Sequence, residues 1–245
     1  MTTAPTDWQT VADATQLAPL HVVVPMRTVS GGKARLGGAL DAEEREELVL
    51  GMLRHTLDVL SRWEACDRIH VISPDRTLLA AARVALAGVA RPTLQTTEQT
   101  GEGLNEAIRL AISSARVSEA ESLLVLPSDL PDLSLASLEE LLLAADAAQA
   151  AAAGGAMVTI VPADARGGTN ALLVKPVDVI EPAFGSGSFE AHLRAAAAAD
   201  AAVQVVTDSA LGFDLDTPDD LELLPPARLR ELMELGREDE ASRTA

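Results

Sequence analysis

The chain has 245 residues, 48% hydrophobic and 23% charged, enough for one large α/β domain with a substantial core. Its net charge of −18 and aromatic content of 2% exclude the usual nucleic-acid binder, which combines a basic surface with stacking aromatics, and argue against an anionic membrane surface. A single cysteine, Cys66, excludes an intramolecular disulfide, and no basic-then-apolar leader or run of about 18 apolar residues occurs. A soluble, cytoplasmic protein is expected.

Residues 1–19 are polar and aperiodic and read as a flexible arm. The fold begins at His21–Pro25, a short apolar run expected to be a buried strand. Ser30, Gly31 and Gly32 then make a loop that runs into Lys33-Ala34-Arg35-Leu36. Asp41 opens a helix, with Glu44 at capping-box spacing and a stripe of Leu48, Met52, Leu53, Leu57 and Leu60. Arg68–Ser73 reads as the second strand, residues around Leu78–Leu86 as the second helix, and Thr93–Thr97 as a polar third strand. Gly103-Leu104-Asn105 leads into another helix, and Leu123–Leu126 is the strongest strand, ending in Pro127-Ser128-Asp129-Leu130-Pro131. Ser134 caps the next helix, which frays into an Ala-rich connection over 144–156. Met157–Pro162, Ala171–Lys175 and Val203–Thr207 are further strands; a helix over Ala227–Leu235 sits in a charged tail that packs outside the domain.

Strands alternating with helices predict a single-domain α/β fold: a mostly parallel mixed sheet sandwiched by helices. The domain is expected over residues 20–224, flanked by the arm and by a partly helical tail over 225–245. Ligands of such sheets sit beyond the carboxyl ends of the strands, where the loops after the first, third and fourth strands all fall.

Three carboxylates stand out at that edge. Asp129 ends the strongest strand, and Asp214 and Asp216 flank Leu215, facing one side if the segment is extended. Together they make an oxygen-rich site suited to Mg²⁺. Asp219 and Asp220, after Thr217-Pro218, are explained as a helix start. Lys33 is one of only two lysines and lies in a Gly-rich loop. Gly185-Ser186-Gly187-Ser188 before a helix has the composition of an anion cradle, and Gly167-Gly168-Thr169-Asn170 has similar character, so one small anion between them is expected. The chain has no Walker spacing, no dinucleotide fingerprint, no Cys/His metal pattern and no nucleophile elbow. The four histidines are scattered and read as structural or surface groups. A reaction whose nucleophile is a substrate phosphate needs no base, because its second pKa near 6 leaves it ionised at neutral pH.

Val24-Pro25, Lys33-x-Arg35-Leu36, Gly103-Leu104-Asn105, Leu126–Pro131, Thr169–Leu172, Phe184-Gly185-x-Gly187-Ser188-Phe189 and Asp214-x-Asp216-Thr217-Pro218 occur in that order over about residues 20–224. Their series resembles the phosphoenolpyruvate/2-phospho-L-lactate guanylyltransferase family of coenzyme F-420 biosynthesis. The resemblance implies a nucleotidyltransferase fold of the GT-A-like kind, similar to molybdenum-cofactor guanylyltransferase, with Mg²⁺ as cofactor and GTP and a small phosphorylated acid as partners. By that likeness Asp129, Asp214 and Asp216 hold the metal, and Thr169, Gly185 and Ser188 hold phosphoenolpyruvate. Lys33, Arg35, Gly103 and Asn105 bind GTP, with Lys33, Arg35 and Asp129 the catalytic set. The expected reaction transfers GMP from GTP to phosphoenolpyruvate, giving pyrophosphate and enolpyruvyl diphosphoguanosine, an unstable product for a partner enzyme to take. Arginine-for-lysine and Ala-rich usage suggests a high-GC bacterial source, where the family favours phosphoenolpyruvate. Alternatives are the same reaction on 2-phospho-L-lactate or 3-phosphoglycerate, another Mg-dependent nucleotidyl- or sugar-transferase, or a non-catalytic GTP-binding protein.

Overall fold

The computed structural model describes residues 15–29, 33–163 and 167–243; Ser30, Gly31, Gly32 and the first fourteen residues of the expected arm lie outside them. In chain order the elements are β1 (Leu20–Pro25), a 3-10 turn (Ala34–Gly38), α1 (Ala42–Ser61), β2 (Cys66–Ser73), α2 (Arg76–Ala85), β3 (Thr93–Glu98), α3 (Leu104–Val117) and β4 (Ser122–Val125). There follow α4 (Leu135–Ala151), β5 (Met157–Pro162), β6 (Thr169–Lys175), α5 (Ser188–Ala198), β7 (Ala202–Val205), the short α6 (Ser209–Gly212), α7 (Pro218–Leu223) and α8 (Pro226–Arg243).

Seven strands form one sheet in the order β3-β2-β1-β4-β6-β5-β7. All neighbouring pairs are parallel except those of β6, which runs antiparallel to both β4 and β5. Only six residues separate the end of β5 at Pro162 from the start of β6 at Thr169, too few for a parallel crossover, so β6 has to reverse. The reversal matters for the site, because it brings the start of β6, at Thr169, to the edge where the parallel strands end. The expected mixed, mostly parallel sheet is thus observed. Chain order reverses between β1 and β4, which makes their carboxyl ends the switch point where ligands of open α/β sheets bind.

Every residue of β1 and β4 is buried, as a strand covered on both faces requires. One core cluster lies beneath α1, α2 and α4, and a second beneath α3 and α5. The helix starts follow their local signals. Asp41 accepts from the Glu44 amide while Glu44 returns the bond, and Ser134 makes the same reciprocal pair with Ser137. Among the described residues no helix is long and apolar enough to cross a membrane.

Two expected boundaries shift. The arm was expected to run to residue 19, but residues 15–19 are tied to the domain: Leu17 is fully buried, Thr15 Oγ1 donates to Asp146, and Pro19 O accepts from the Glu121 amide. One apolar side chain in a polar segment is enough to anchor it. The tail also belongs to the body. Its helix, α8, lies along α1, and a third cluster joins Leu232 of α8 and Leu224 to Leu36, Leu48, Met52 and Leu215. Each buried leucine contributes about 1.5–3 kcal/mol. Leu36 follows the Lys33 loop and Leu215 lies between Asp214 and Asp216, so this cluster underlies two of the expected site loops.

Candidate active site

Lys33 has left-handed backbone, φ 56°, a region that costs a non-glycine residue about 1 kcal/mol. It caps the 3-10 turn, whose Leu36 inserts into the third cluster, and its side chain is aimed back over the sheet edge. There its Nζ donates to Asp129 Oδ2 at 2.7 Å and lies 3.6 Å from Asp216 Oδ1. Arg35 Nη1 takes the other oxygen of Asp216, also at 2.7 Å. The ammonium is nearly enclosed, with 8% of its side chain exposed, whereas the guanidinium is 72% exposed. Residues from three distant loops therefore meet at one point.

The carboxylates are held by backbone. Leu215 N donates to Asp129 O at 3.0 Å, stitching the two acidic loops together. Leu215 is fully buried while Asp214 and Asp216 on either side are partly exposed, the alternation expected of an extended segment. Asp220, expected as a capping residue, does cap α7: its Oδ2 accepts from the amides of Thr217 and Asp216 and from the Thr217 hydroxyl. It thereby fixes the backbone of Asp216 as well. Asn170 donates to the carbonyls of Leu211 and Gly212, which anchors the approach to Asp214.

Beside this cluster lies a cavity of about 160 Å³. Pro25, Val125 and Pro127 from the β1 and β4 ends, with Leu104 and Phe184, give it apolar walls; Asp129, Asp214, Thr169 and Asn170 give it polar ones. A larger hollow of about 240 Å³ sits near Trp63, Cys66 and Arg91, at the start of β2. Its arginines Arg62 and Arg91 are already paired with Asp58 and Asp67, and it lies at the opposite edge from every expected site residue, so the smaller cavity is the candidate site.

The remaining expected residues frame that cavity from its far side. Asn105 Nδ2 donates to Phe184 O at 3.0 Å, and Phe184 N donates to Asn105 Oδ1 at 2.8 Å. Asn105 thus clamps the start of the Phe184–Ser188 loop. Gly103, φ 90°, starts α3, and its carbonyl accepts from the buried Gln99. Thr169 and Ser188 hydroxyls lie 3.2 Å apart. Gly185, φ 133°, and Gly187, φ 71°, need the conformational freedom of glycine. The two Gly-rich segments do meet, since Phe189 N donates to Gly167 O. The expected cradle is altered by that contact: with Ser188 N donating to Gly185 O, the first amides of α5 already have acceptors. An anion there is left to the hydroxyls and the glycine-flanked backbone.

Sequence reasoning missed Gln99 and His192. His192 is fully buried, with Nδ1 3.0 Å from Thr169 Oγ1 and Nε2 accepting from the Ala183 amide. Its only sequence signal is its spacing in α5, where it follows Ser188 by one turn. Burial pushes His192 down to about 4, and burial, aided by Arg68 and His21, does the same to His70. The unfolded chain takes up these protons below the ordinary value of 6.5, whereas the folded chain resists down to about 4. The stability of the neutral rings is therefore complete above pH 6.5 and falls as pH drops from 6.5 to 4. Urea midpoints should be lower at pH 5.0 than at 7.5, and His70→Gln should reduce that difference; an undiminished difference would rule out His70 as a source.

Mg²⁺ takes one or two carboxylates and completes its shell with water and phosphate oxygens. Asp129 and Asp216 already converge on one cationic atom, Lys33 Nζ, and Asp214 lies on the adjoining wall. Among the described residues no three His, Cys, Asp or Glu side chains form a ready-made metal cage. This donor set fits a cation that arrives with phosphate, not a closed structural site.

Comparison with known proteins places the whole domain in a family. The chain is 39% identical over 205 residues to a phosphoenolpyruvate guanylyltransferase of Rubrobacter xylanophilus, covering 84% of this chain and 93% of the relative. It is 36% identical over 204 residues to one of Sphaerobacter thermophilus, covering 82% and 90%. A 3-phospho-D-glycerate guanylyltransferase of Colwellia psychrerythraea is 30% identical, covering 83% and 90%. A solved structure assigned as a nucleotide-diphospho-sugar transferase, from Desulfovibrio desulfuricans G20, shares the fold with a TM-score of 0.67 at 20% identity, covering 89% of this chain and 97% of that one. The family model described as "Guanylyl transferase CofC like" matches residues 20–225, the whole sheet and all three loops of the cluster, and the chain belongs to that family of guanylyltransferases.

Proposed function

We propose that this chain transfers GMP from GTP to phosphoenolpyruvate, releasing pyrophosphate and forming enolpyruvyl diphosphoguanosine, a step of coenzyme F-420 biosynthesis in the cytoplasm. The observation that carries the reading is the meeting of Lys33, Arg35, Asp129 and Asp216 from three loops beside a cavity bounded by Thr169. The relatives of highest identity named above act, by name, on phosphoenolpyruvate.

A phosphate oxygen of the acceptor attacks the α-phosphorus of GTP. The new O–P bond forms as the bond from the α-phosphorus to the bridging oxygen breaks, and the electron pair leaves on pyrophosphate. The attacking oxygen is already ionised at neutral pH, so no side chain has to remove a proton. The work of the protein is alignment and charge compensation. Asp129, Asp214 and Asp216 would hold Mg²⁺, which supplies Lewis-acid neutralisation of the phosphate oxygens. Lys33 and Arg35 exchange carboxylate partners for the departing pyrophosphate. Thr169, Ser188 and the Gly185 backbone orient the acceptor, and Gly103 with Asn105 shapes the guanine side. The small cavity beside Asp129 suits a three-carbon acid better than a sugar.

Pyrophosphate release should require GTP, Mg²⁺ and one phospho-acid. Phosphoenolpyruvate, 2-phospho-L-lactate and 3-phosphoglycerate are tested separately, with ATP and CTP as controls and a consuming enzyme coupled in to remove unstable product. Release with phosphoenolpyruvate alone is the expected result. Preference for either other acid corrects the acceptor only, and silence with all three removes the reaction.

A further inference from the structure

The wall of the cavity nearest the Gly185 loop presents an anion with a problem of proton supply. Asp129 and Asp214 offer only acceptors, and Asn170 spends its amide hydrogens on the carbonyls of Leu211 and Gly212. Among the described residues that line the cavity, Thr169 is the remaining side-chain donor. Whether its hydrogen points at a ligand depends on the group behind it, which is His192.

The tautomer of His192 follows from its backbone partner. A main-chain amide can only donate, so the Ala183 N–H requires an unprotonated Nε2 at 3.1 Å. Burial, which pushes the ring down to about 4, keeps it neutral, and its one hydrogen is then on Nδ1. That N–H donates to Thr169 Oγ1 at 3.0 Å. The Thr169 and Ser188 hydroxyls share one hydrogen bond at 3.2 Å and own two hydrogens between them. With His192 donating, one hydroxyl hydrogen stays unspent. With the opposite tautomer, Ser188 would donate to Thr169, Thr169 would donate to Nδ1, and only lone pairs would face an anion. The ring packs edge-to-face with Phe184, centroids 4.9 Å apart, and Phe184 is itself clamped by Asn105.

We propose that His192 is a positioning residue that commits the Thr169–Ser188 hydroxyl pair to donate into the cavity, toward the acidic group of the acceptor. The role rests on the acceptor site assigned under Proposed function. It makes a buried histidine, far from any proton transfer, a determinant of affinity for an anionic substrate.

The test uses the full chain. Long-range ¹H–¹⁵N spectra at pH 7 should show His192 as the neutral Nδ1–H tautomer. Kinetics then compare His192→Asn, whose amide keeps a donor near the Nδ1 position, with His192→Phe, which keeps ring volume and no donor. Asparagine should leave the acceptor KM within about threefold, while phenylalanine should raise it about tenfold or more with the GTP KM nearly unchanged, the scale of a lost hydrogen bond to a charged group. Thr169→Val should match His192→Phe, and the double variant should add little, since both remove the same donor. A packing role would give the reverse order, with phenylalanine tolerated and asparagine damaging, and that order overturns the proposal. An Nε2–H tautomer also overturns it, whatever the activity. Nδ1–H in a protein that turns over none of the acids overturns the acceptor reading instead, and the role falls with it for that separate reason.

Discussion

Asp129→Asn and Asp216→Asn should each yield a folded protein whose pyrophosphate release is about a hundred- to a thousand-fold slower, the scale of losing one preorganised electrostatic contact. Asparagine has the shape of aspartate but lacks its charge, and both carboxylates act here through charge. In the wild type Lys33 Nζ is 2.7 Å from Asp129 and 3.6 Å from Asp216, so either single variant leaves the nearly enclosed ammonium with one partner. Lys33 thereby avoids the full cost of an unpaired buried charge, and the loss of stability should stay within about 1–2 kcal/mol. Asp216 has a second cation, Arg35, at 2.7 Å, so its removal also releases the guanidinium. Both variants should need more Mg²⁺ for half-maximal rate, and Asp216→Asn should also raise the GTP KM. Far-ultraviolet dichroism and urea slopes matching wild type separate chemistry from unfolding. A near-wild-type rate in either variant would falsify the metal and charge assignment for that residue.

How far the sequence showed this site differs from residue to residue. Asp129, Asp214, Asp216 and Lys33 were legible because each sits at a punctuation point: a strand end, an extended pair around one leucine, a Gly-rich loop with a rare lysine. Strands β1 and β4 were legible because burial on both faces leaves an unbroken apolar run. The capping boxes at Asp41 and Ser134 were readable from three-residue spacing alone. What Asp220 does for Asp216 was not, since a cap signature shows which helix is started and not which neighbouring amide shares the carboxylate. Asn105 was expected on the guanine side from its place after Gly103, but its clamp on Phe184, 79 residues away, is a contact no local pattern encodes. His192 was read as structural for the same reason, because its meaning lies in two partners brought together by the reversal of β6.

The C-terminal helix was the element least legible in sequence. Its charge density suggested a tail on the outside, yet Gly236, in the middle of a helix, is an isolated glycine of the kind that marks close approach. It packs against Glu47 of α1: a Cβ at Gly236 would stand 2.0 Å from Glu47 O, and one at Gly51 would stand 1.7 Å from Leu232 O. Both obstacles are backbone, so neither can swing aside. Arg54 of α1 also donates to Leu235 O, and Arg228 of α8 donates to Pro131 O, at the end of the loop that carries Asp129. Helix α8 begins at Pro226, just past the end of the family model at residue 225, and still reaches the supports of all three site loops through Leu232 and Arg228.

Gly51→Ala and Gly236→Ala therefore make a decisive pair. In a helix without a close neighbour, alanine is favoured over glycine by about 1 kcal/mol, so both changes would stabilise. Against this interface they should destabilise by about 2–3 kcal/mol, the usual cost of forcing extra volume into a packed contact. For a chain of this size that is a fall in Tm of about 4–12 °C. Below the new midpoint kcat should drop several-fold, because moving α8 withdraws Leu232 from Leu36 and Leu215 and Arg228 from Pro131, which loosens the Lys33, Asp216 and Asp129 loops together. Leu223→Ala, at a side chain 73% exposed, serves as the control for changes in the same region and should alter neither quantity. A rise in Tm for either glycine variant would mean that the two helices do not pack in this way. A fall in Tm with kcat intact would mean that they do, but that the site loops are supported without α8.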